Sequence, residues 1–242
     1  MQEINHYLLS FVFGILPPIL WLSFYLREDQ KPEPKRMVIL IFILGALFVF
    51  PAVLLEYFLL EIFSFLNIPE PYLFFLKNFF VIAFLEELFK FLPIFFFVFK
   101  SKEFDEPVDG MIYMIISALG FAACENFFAI FNLQPQQFQF SQLYFSSIIS
   151  LTLLRFLGPV FLHSLSSAIF GFFVSLYYFK KRKIFTLFLG LFLASLLHFT
   201  FNFSIILIME EKKFSFTGYY LIILFLAGIG ILVHSLFQRL KK

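Results

Sequence analysis

MVILIFILGALFVFPAVLL, residues 37–55, carries no charged side chain. The hydrocarbon core of a bilayer is roughly 30 Å thick and takes about 20 apolar residues of helix to cross, so this run reads as a membrane-spanning helix. The pattern recurs along the chain. We read seven crossings, at about 6–26, 37–66, 73–99, 108–132, 142–179, 184–209 and 218–237, separated by short polar breaks. The fifth is too long for one crossing and contains Gly158-Pro159, which predicts a bent or re-entrant segment at 142–158 before a spanning helix near 159–179. The expected fold is all-α, a polytopic transmembrane helical bundle forming one integral membrane domain over 1–242.

Composition agrees. Of 242 residues, 44 are Phe, more than the 34 charged residues made up of 18 Lys and Arg with 16 Asp and Glu. That balance cannot cover a water-facing surface, and it excludes secreted, fibrous and disordered classes. A net charge of +2 gives no reason to expect a nucleic-acid partner, and the single Cys124 can form neither an internal disulfide nor a cysteine metal site. The first segment lacks a basic n-region and a small-residue cleavage site, so it is not read as a cleaved signal peptide. No internal repeat is evident, which counts mildly against an inverted-repeat transporter.

Positive charge in short loops sets the orientation. Arg27, Lys31, Lys35 and Arg36 mark the first loop as cytoplasmic, Lys100 and Lys102 the third, KKRK at 180–183 the fifth, and Arg239, Lys241 and Lys242 the tail. NIPEPY at 67–72 and LQPQQFQFS at 133–141 have no Lys or Arg, although Lys212 and Lys213 run against the pattern. The amino end is therefore expected outside and the carboxyl end in the cytoplasm.

An ionisable side chain deep in a membrane helix costs at least a few kcal/mol, about 2.5–3.5 on insertion scales, and marks a functional site by default. In FLEELFK, Glu86 lies four residues and Glu87 three residues before Lys90, so one lysine can neutralise one carboxylate while the other acts on water. In GFAACEN, Glu125 can hold a proton or a metal and Asn126 can donate to an oxyanion. His163 follows the Gly158-Pro159 break, and His198 and Asn202 are four apart on one helix face. Imidazoles serve as ligands, acids or donors. Arg155 can be a counter-ion to Glu125 or to a substrate carboxylate, or can snorkel to the outer interface. Buried ion pairs and interhelical hydrogen bonds are the structural alternative for each of these groups. His6, His234, Glu56 and Glu61 are read as interfacial. Two histidines plus a glutamate could make an open three-ligand zinc site, with His163, His198, Glu87 and Glu125 as candidates. A metal-free site could use a glutamate as base with histidine and asparagine as oxyanion donors, and the residues leave both open.

These blocks together resemble the PrsW-type intramembrane proteases of the CAAX-protease and bacteriocin-processing superfamily. The resemblance rests on REDQKPEP from Arg27, the EExxK pattern of Glu86, Glu87 and Lys90, DEPVDGMIY leading into GFAACEN, HSLSSAIFG from His163, and the HxxxN pair of His198 and Asn202. It spans about residues 25–205. It implies a bacterial cytoplasmic-membrane protease that clips single-pass or membrane-associated proteins, such as an anti-sigma factor at its first site. Glu86 and Glu87 would then activate water, with Glu125, Asn126, His163, His198 and Asn202 completing the site. Without the resemblance, a proton- or ion-coupled transporter or a non-catalytic scaffold would account for the same buried polar groups.

Overall fold

The computed structural model describes residues 2–29, 31–133, 142–210 and 216–241. Among those residues the regular structure is all helical, with α1 at Gln2–Tyr25, α2 at Lys35–Ser64, α5 at Asp109–Phe131, α6 at Gln142–Leu157, α7 at Pro159–Tyr178, α8 at Phe185–Glu210 and α9 at Phe216–Leu240. The third predicted crossing is one continuous helical run of mixed pitch. It passes from α3 at Glu70–Phe75 through a π-helical stretch, π1, at Leu76–Ala83, into α4 at Phe84–Pro93 and a second stretch, π2, at Ile94–Val98. Among the described residues six helical spans are long and apolar enough to cross a bilayer: His6–Tyr25, Lys35–Ser64, Asp109–Phe131, Tyr144–Tyr178, Phe185–Met209 and Thr217–Leu240. The loop at 134–141 and Lys212 and Lys213 lie outside the described residues.

Proline places several of these boundaries. Pro34 and Pro69 cap α2 and α3, and Pro159 opens α7, where its missing N–H leaves no hydrogen bond unmade. The expected break in the fifth stretch falls at Gly158, whose φ of −106° and ψ of −97° leave the helical region and separate α6 from α7.

α5 is the axis of the bundle. It is buried on every face from Asp109 to Ala123 and packs against α1, α2 and α7. Small residues let it do so, because helices in lipid associate through close van der Waals contact. A Cβ on Gly120 would stand 1.9 Å from the Phe42 carbonyl oxygen, and one on Gly45 would stand 2.1 Å from that of Ser117. The two glycines thus lock α2 onto α5 at a separation no side chain could fit. Phenylalanine fills the longer gaps and the lipid face. Phe75 and Phe79 meet Phe199 at ring separations of 5.5 and 5.7 Å, joining the α3–π1 run to α8.

The loops after α1 and before α5 are stitched by acids. Asp29 accepts the Lys31 and Glu33 amides at 3.0 and 3.1 Å, Asp109 accepts those of Asp105 and Glu106 at 2.9 and 2.7 Å, Lys31 pairs with Glu106, and Tyr113 donates to Glu33. REDQKPEP and DEPVDGMIY are therefore two halves of one structure. Burial, with Asp109, Asp29 and Asp105 nearby, pushes the Glu33 carboxyl up to about 8, against the lowering effect of the Tyr113 hydroxyl. Its folded pKa lies above the unfolded one, so the folded chain binds more protons between about pH 4.5 and 8 and loses stability as pH rises through that window. Thermal unfolding at a series of pH values is expected to show this slope, and Glu33→Gln is expected to flatten it; an unchanged slope in the variant would reject the assignment.

Candidate active site

The polar groups of four membrane helices meet in one place because each sits on the inward face of its helix. Glu86, Glu87 and Lys90 come from α4, Glu125 from α5, His163, Ser166 and Ser167 from α7, and His198 and Asn202 from α8. Glu86, Glu125, Arg155, Pro159, Leu162, His163, His198 and Asn202 line a cavity of about 280 Å³.

Adjacent glutamates on a helix point about 100° apart, and here the two have different environments. Glu87 has no exposed surface and lies behind the wall. Its Oε1 accepts hydrogen bonds from Lys90 Nζ at 2.8 Å, Ser166 Oγ at 3.0 Å and His198 Nδ1 at 3.0 Å, and its Oε2 accepts from Ser167 Oγ at 3.2 Å. Glu86 faces the cavity, and among the described residues its hydrogen bond is a long one, 3.4 Å from Lys90 Nζ to Oε2. The sequence leaves open which of the two is neutralised and which acts on water. The structure separates them, because α7 and α8 present donors to one carboxylate only.

The same contacts set the histidines. A carboxylate only accepts, so His198 carries its hydrogen on Nδ1, toward Glu87, and turns the Nε2 lone pair to the cavity, 3.7 Å from Glu86 Oε2. An ammonium only donates, so Lys90 Nζ, 2.7 Å from His163 Nδ1, puts that ring's hydrogen on Nε2, which donates to Glu125 Oε2 at 2.9 Å. The two rings stand perpendicular with centroids 5.2 Å apart. Lys90 also lies 4.9 Å over the Phe121 ring and is wholly buried, so its charge is held from every side.

Asn126 departs from its expected place. It is buried away from the cavity, its Nδ2 donating to the Gly14 carbonyl of α1 at 3.1 Å and its Oδ1 accepting from Arg155 Nε. The close approach of α1 to α5 captures the amide that spacing alone had assigned to an oxyanion. Arg155 does not snorkel to the interface, and its Nη2 lies 3.4 Å from Glu125 Oε2. His6, read as interfacial, is buried and joins α1 to Tyr144 of α6 and to the Phe131 carbonyl, while His234 lies 3.3 Å from Glu28. Glu56 has one buried carboxylate oxygen without a hydrogen-bond partner among the described residues. Ser166 and Ser167 lie in the HSLSS stretch that the resemblance uses, but the sequence assigns them no role. Their signal was the density of hydroxyls in HSLSS, inside an otherwise apolar helix.

The donor chemistry fits a divalent metal at a different set from the one expected. Glu86, His163 and His198 each offer one ligand atom, all within 4.8 Å of one another, and two imidazoles with one carboxylate make an open zinc-type set. Glu87 stands behind His198 as the carboxylate that fixes a ligand's tautomer, rather than as a ligand itself. His163 would be a ligand through Nε2 only with its ring hydrogen on Nδ1, so Lys90 would pass a proton to Nδ1 as Nε2 loses its own, and loading would release one proton.

The comparisons with known proteins point to one family. The family model described as PrsW family intramembrane metalloprotease matches residues 33–231. Protease PrsW of Oceanobacillus iheyensis is 33% identical over 196 residues, covering 78% of this chain and 80% of that protein. Protease PrsW of Geobacillus kaustophilus is 30% identical over 219 residues, covering 89% and 87%, and that of Bacillus subtilis 32% over 193 residues, covering 78% and 79%. No solved structure matches this chain. With a family match over most of its length and an intramembrane cluster of carboxylates and histidines in one cavity, the chain belongs to the PrsW family of intramembrane metalloproteases.

Proposed function

We propose that the chain, acting as one membrane domain over 1–242, hydrolyses peptide bonds of single-pass or membrane-associated proteins in this cavity, with Glu86 as the carboxylate that activates water. One observation carries the assignment. Of the two adjacent glutamates, Glu86 opens onto the cavity while Glu87 is held by four donors behind it.

Glu86 takes a proton from water as the oxygen attacks the carbonyl carbon of the peptide. Asn202, one helical turn beyond His198 on the same wall, offers its amide to the oxygen as it becomes negative. Glu86 then returns the proton to the leaving nitrogen, the C–N bond breaks, and a carboxylic acid and an amine result, the acid then losing its proton to the amine or to solvent. A divalent ion held by Glu86, His163 and His198 would, when bound, supply Lewis acidity to the carbonyl and acidity to the water. Glu125, the second carboxylate on the wall, is placed to hold a proton whenever Glu86 is engaged as a ligand.

A volume of about 280 Å³ accommodates a peptide unit with a few waters, at roughly 30 Å³ each. An extended stretch of substrate fits this space better than an intact helix. With the amino end outside, the cavity lies in the outer half of the membrane, and a single-pass regulator such as an anti-sigma factor, cut first on that side, is the substrate class implied.

The test is comparative terminal peptide mapping of a single-pass membrane-protein pool incubated in proteoliposomes with wild type or with Glu86→Gln. New termini are expected with wild type alone. They should vanish with 1,10-phenanthroline and return with added zinc. Identical maps from wild type and variant would overturn the assignment, and cleavage untouched by chelation would remove the metal from it.

A further inference from the structure

The reaction as written leaves one charged group of the cavity wall without a task. Arg155 stands on α6, three residues before the break at Gly158, with 17% of its side chain exposed. A guanidinium has five N–H donors. Among the described residues two are engaged, Nε by Asn126 Oδ1 and Nη2 by Glu125 Oε2 at a long 3.4 Å.

The support behind Nε is built from two other helices. Asn126 on α5 is buried and anchored in turn to the Gly14 carbonyl of α1. The guanidinium is therefore fixed at its stem, and Arg155 lines the same cavity as Glu86, His198 and Asn202. An arginine that was only being tolerated in an apolar helix would carry its head to the membrane surface. This one is turned inward and clamped. The other buried cation, Lys90, is not on the wall and is taken up by Glu87, Glu86 and His163. Among the described residues Arg155 is thus the cation of the cavity wall with donors to spare, in the same cavity as the carboxylate proposed to activate water.

We propose that Arg155 is a further catalytic residue, donating from its terminal nitrogens to the scissile carbonyl oxygen and holding the negative charge that develops there, and that Asn126 is the positioning residue that aims it. This rests on reading the cavity as the proteolytic site. A donor fixed before the reaction needs no rearrangement as charge appears, which is why one such group is worth about 10²–10³ in kcat. The forked, planar head explains why the position holds arginine and not lysine.

The experiment is steady-state kinetics in proteoliposomes on the single-pass substrate returned by the terminal mapping, with thermal unfolding as a check on folding. Arg155→Gln is expected to lower kcat by about 10²–10³ with KM within about threefold of wild type. Arg155→Lys should recover only part of that loss. Arg155→Ala should regain activity with added guanidinium and not with equal sodium chloride. Asn126→Ala should lower kcat by about tenfold at unchanged KM, the split expected of a group that aims a transition-state donor. A kcat for Arg155→Gln within about threefold of wild type, or a raised KM at constant kcat, would overturn the proposal. If Arg155→Gln fails to fold, Arg155→Lys decides, and full kcat there overturns it. Glu86→Gln run alongside separates the two readings. An active Glu86→Gln enzyme ends the proposed chemistry as a whole, whereas an inactive one beside a fully active Arg155→Gln ends only the role of Arg155.

Discussion

Glu86→Gln is expected to abolish cleavage, by a factor of about 10²–10⁴ for loss of the base alone, in a protein that inserts and folds as the wild type does. The amide is the same size as the carboxylate, and what Glu86 gives the fold is small, a single 3.4 Å contact to Lys90 from a side chain 12% exposed to the cavity. Lys90 keeps its shorter bonds to Glu87 and His163. The amide cannot take a proton from water and is a poor ligand for a divalent ion, so both chemistries fail together. Rates measured on the mapped substrate, with thermal unfolding alongside, check both halves. Activity within a few-fold of wild type would sink the assignment, and so would an unfolded variant, since the argument requires catalysis and folding to separate here.

Glu87→Leu is expected to do the reverse and fail first as a fold. It removes the carboxylate that accepts from Lys90, Ser166, Ser167 and His198, and it leaves a fully buried ammonium with only the long contact to Glu86 to balance it. Breaking one side of a buried ion pair typically destabilises by about 3–5 kcal/mol, because the remaining charge has nowhere to go. Adding Lys90→Met should restore much of that stability by removing the stranded charge. It should not restore cleavage, because His198 loses the acceptor that fixes its tautomer and His163 loses its Nδ1 donor. Yield and unfolding temperature of the single and double variants in detergent test the order. A Glu87→Leu protein as stable as wild type would show that the four contacts contribute little. The sequence alone does not say which glutamate of the pair the fold leans on; the four donors around Glu87 are the reason to expect it there.

That difference shows where sequence reasoning stops. Apolar runs such as 37–55 are legible because lipid imposes one length and one polarity on every crossing. The Gly158 break is legible because proline and glycine act locally. The membership of the cavity is legible too, since Glu86, Glu125, His163, His198 and Asn202 are polar where lipid penalises polarity. The division of labour is not. Whether Glu86 or Glu87 meets water depends on hydroxyls arriving 79 and 80 residues later from α7. The fate of Asn126 depends on a carbonyl 112 residues earlier in α1. Spacing within one helix carries no information about either. The burial of His6 likewise depends on neighbouring helices rather than on its own.

The Lys90–Glu87 contact lies within a single helix, three residues apart, and so exists as soon as α4 has been synthesised. The cluster otherwise depends on α5, α7 and α8, which leave the ribosome later. A segment with three unpaired charges would face a barrier of several kcal/mol at the translocon, at about 2.5–3.5 kcal/mol for each. Self-pairing leaves α4 itself with one net negative charge at the moment of insertion, before any partner helix is present. The pair that organises the finished cavity would thus also act as a chaperone in cis, letting the most polar crossing of the chain enter the bilayer in its turn. Reversing the order of charges along α4, with composition kept, would test biogenesis apart from catalysis.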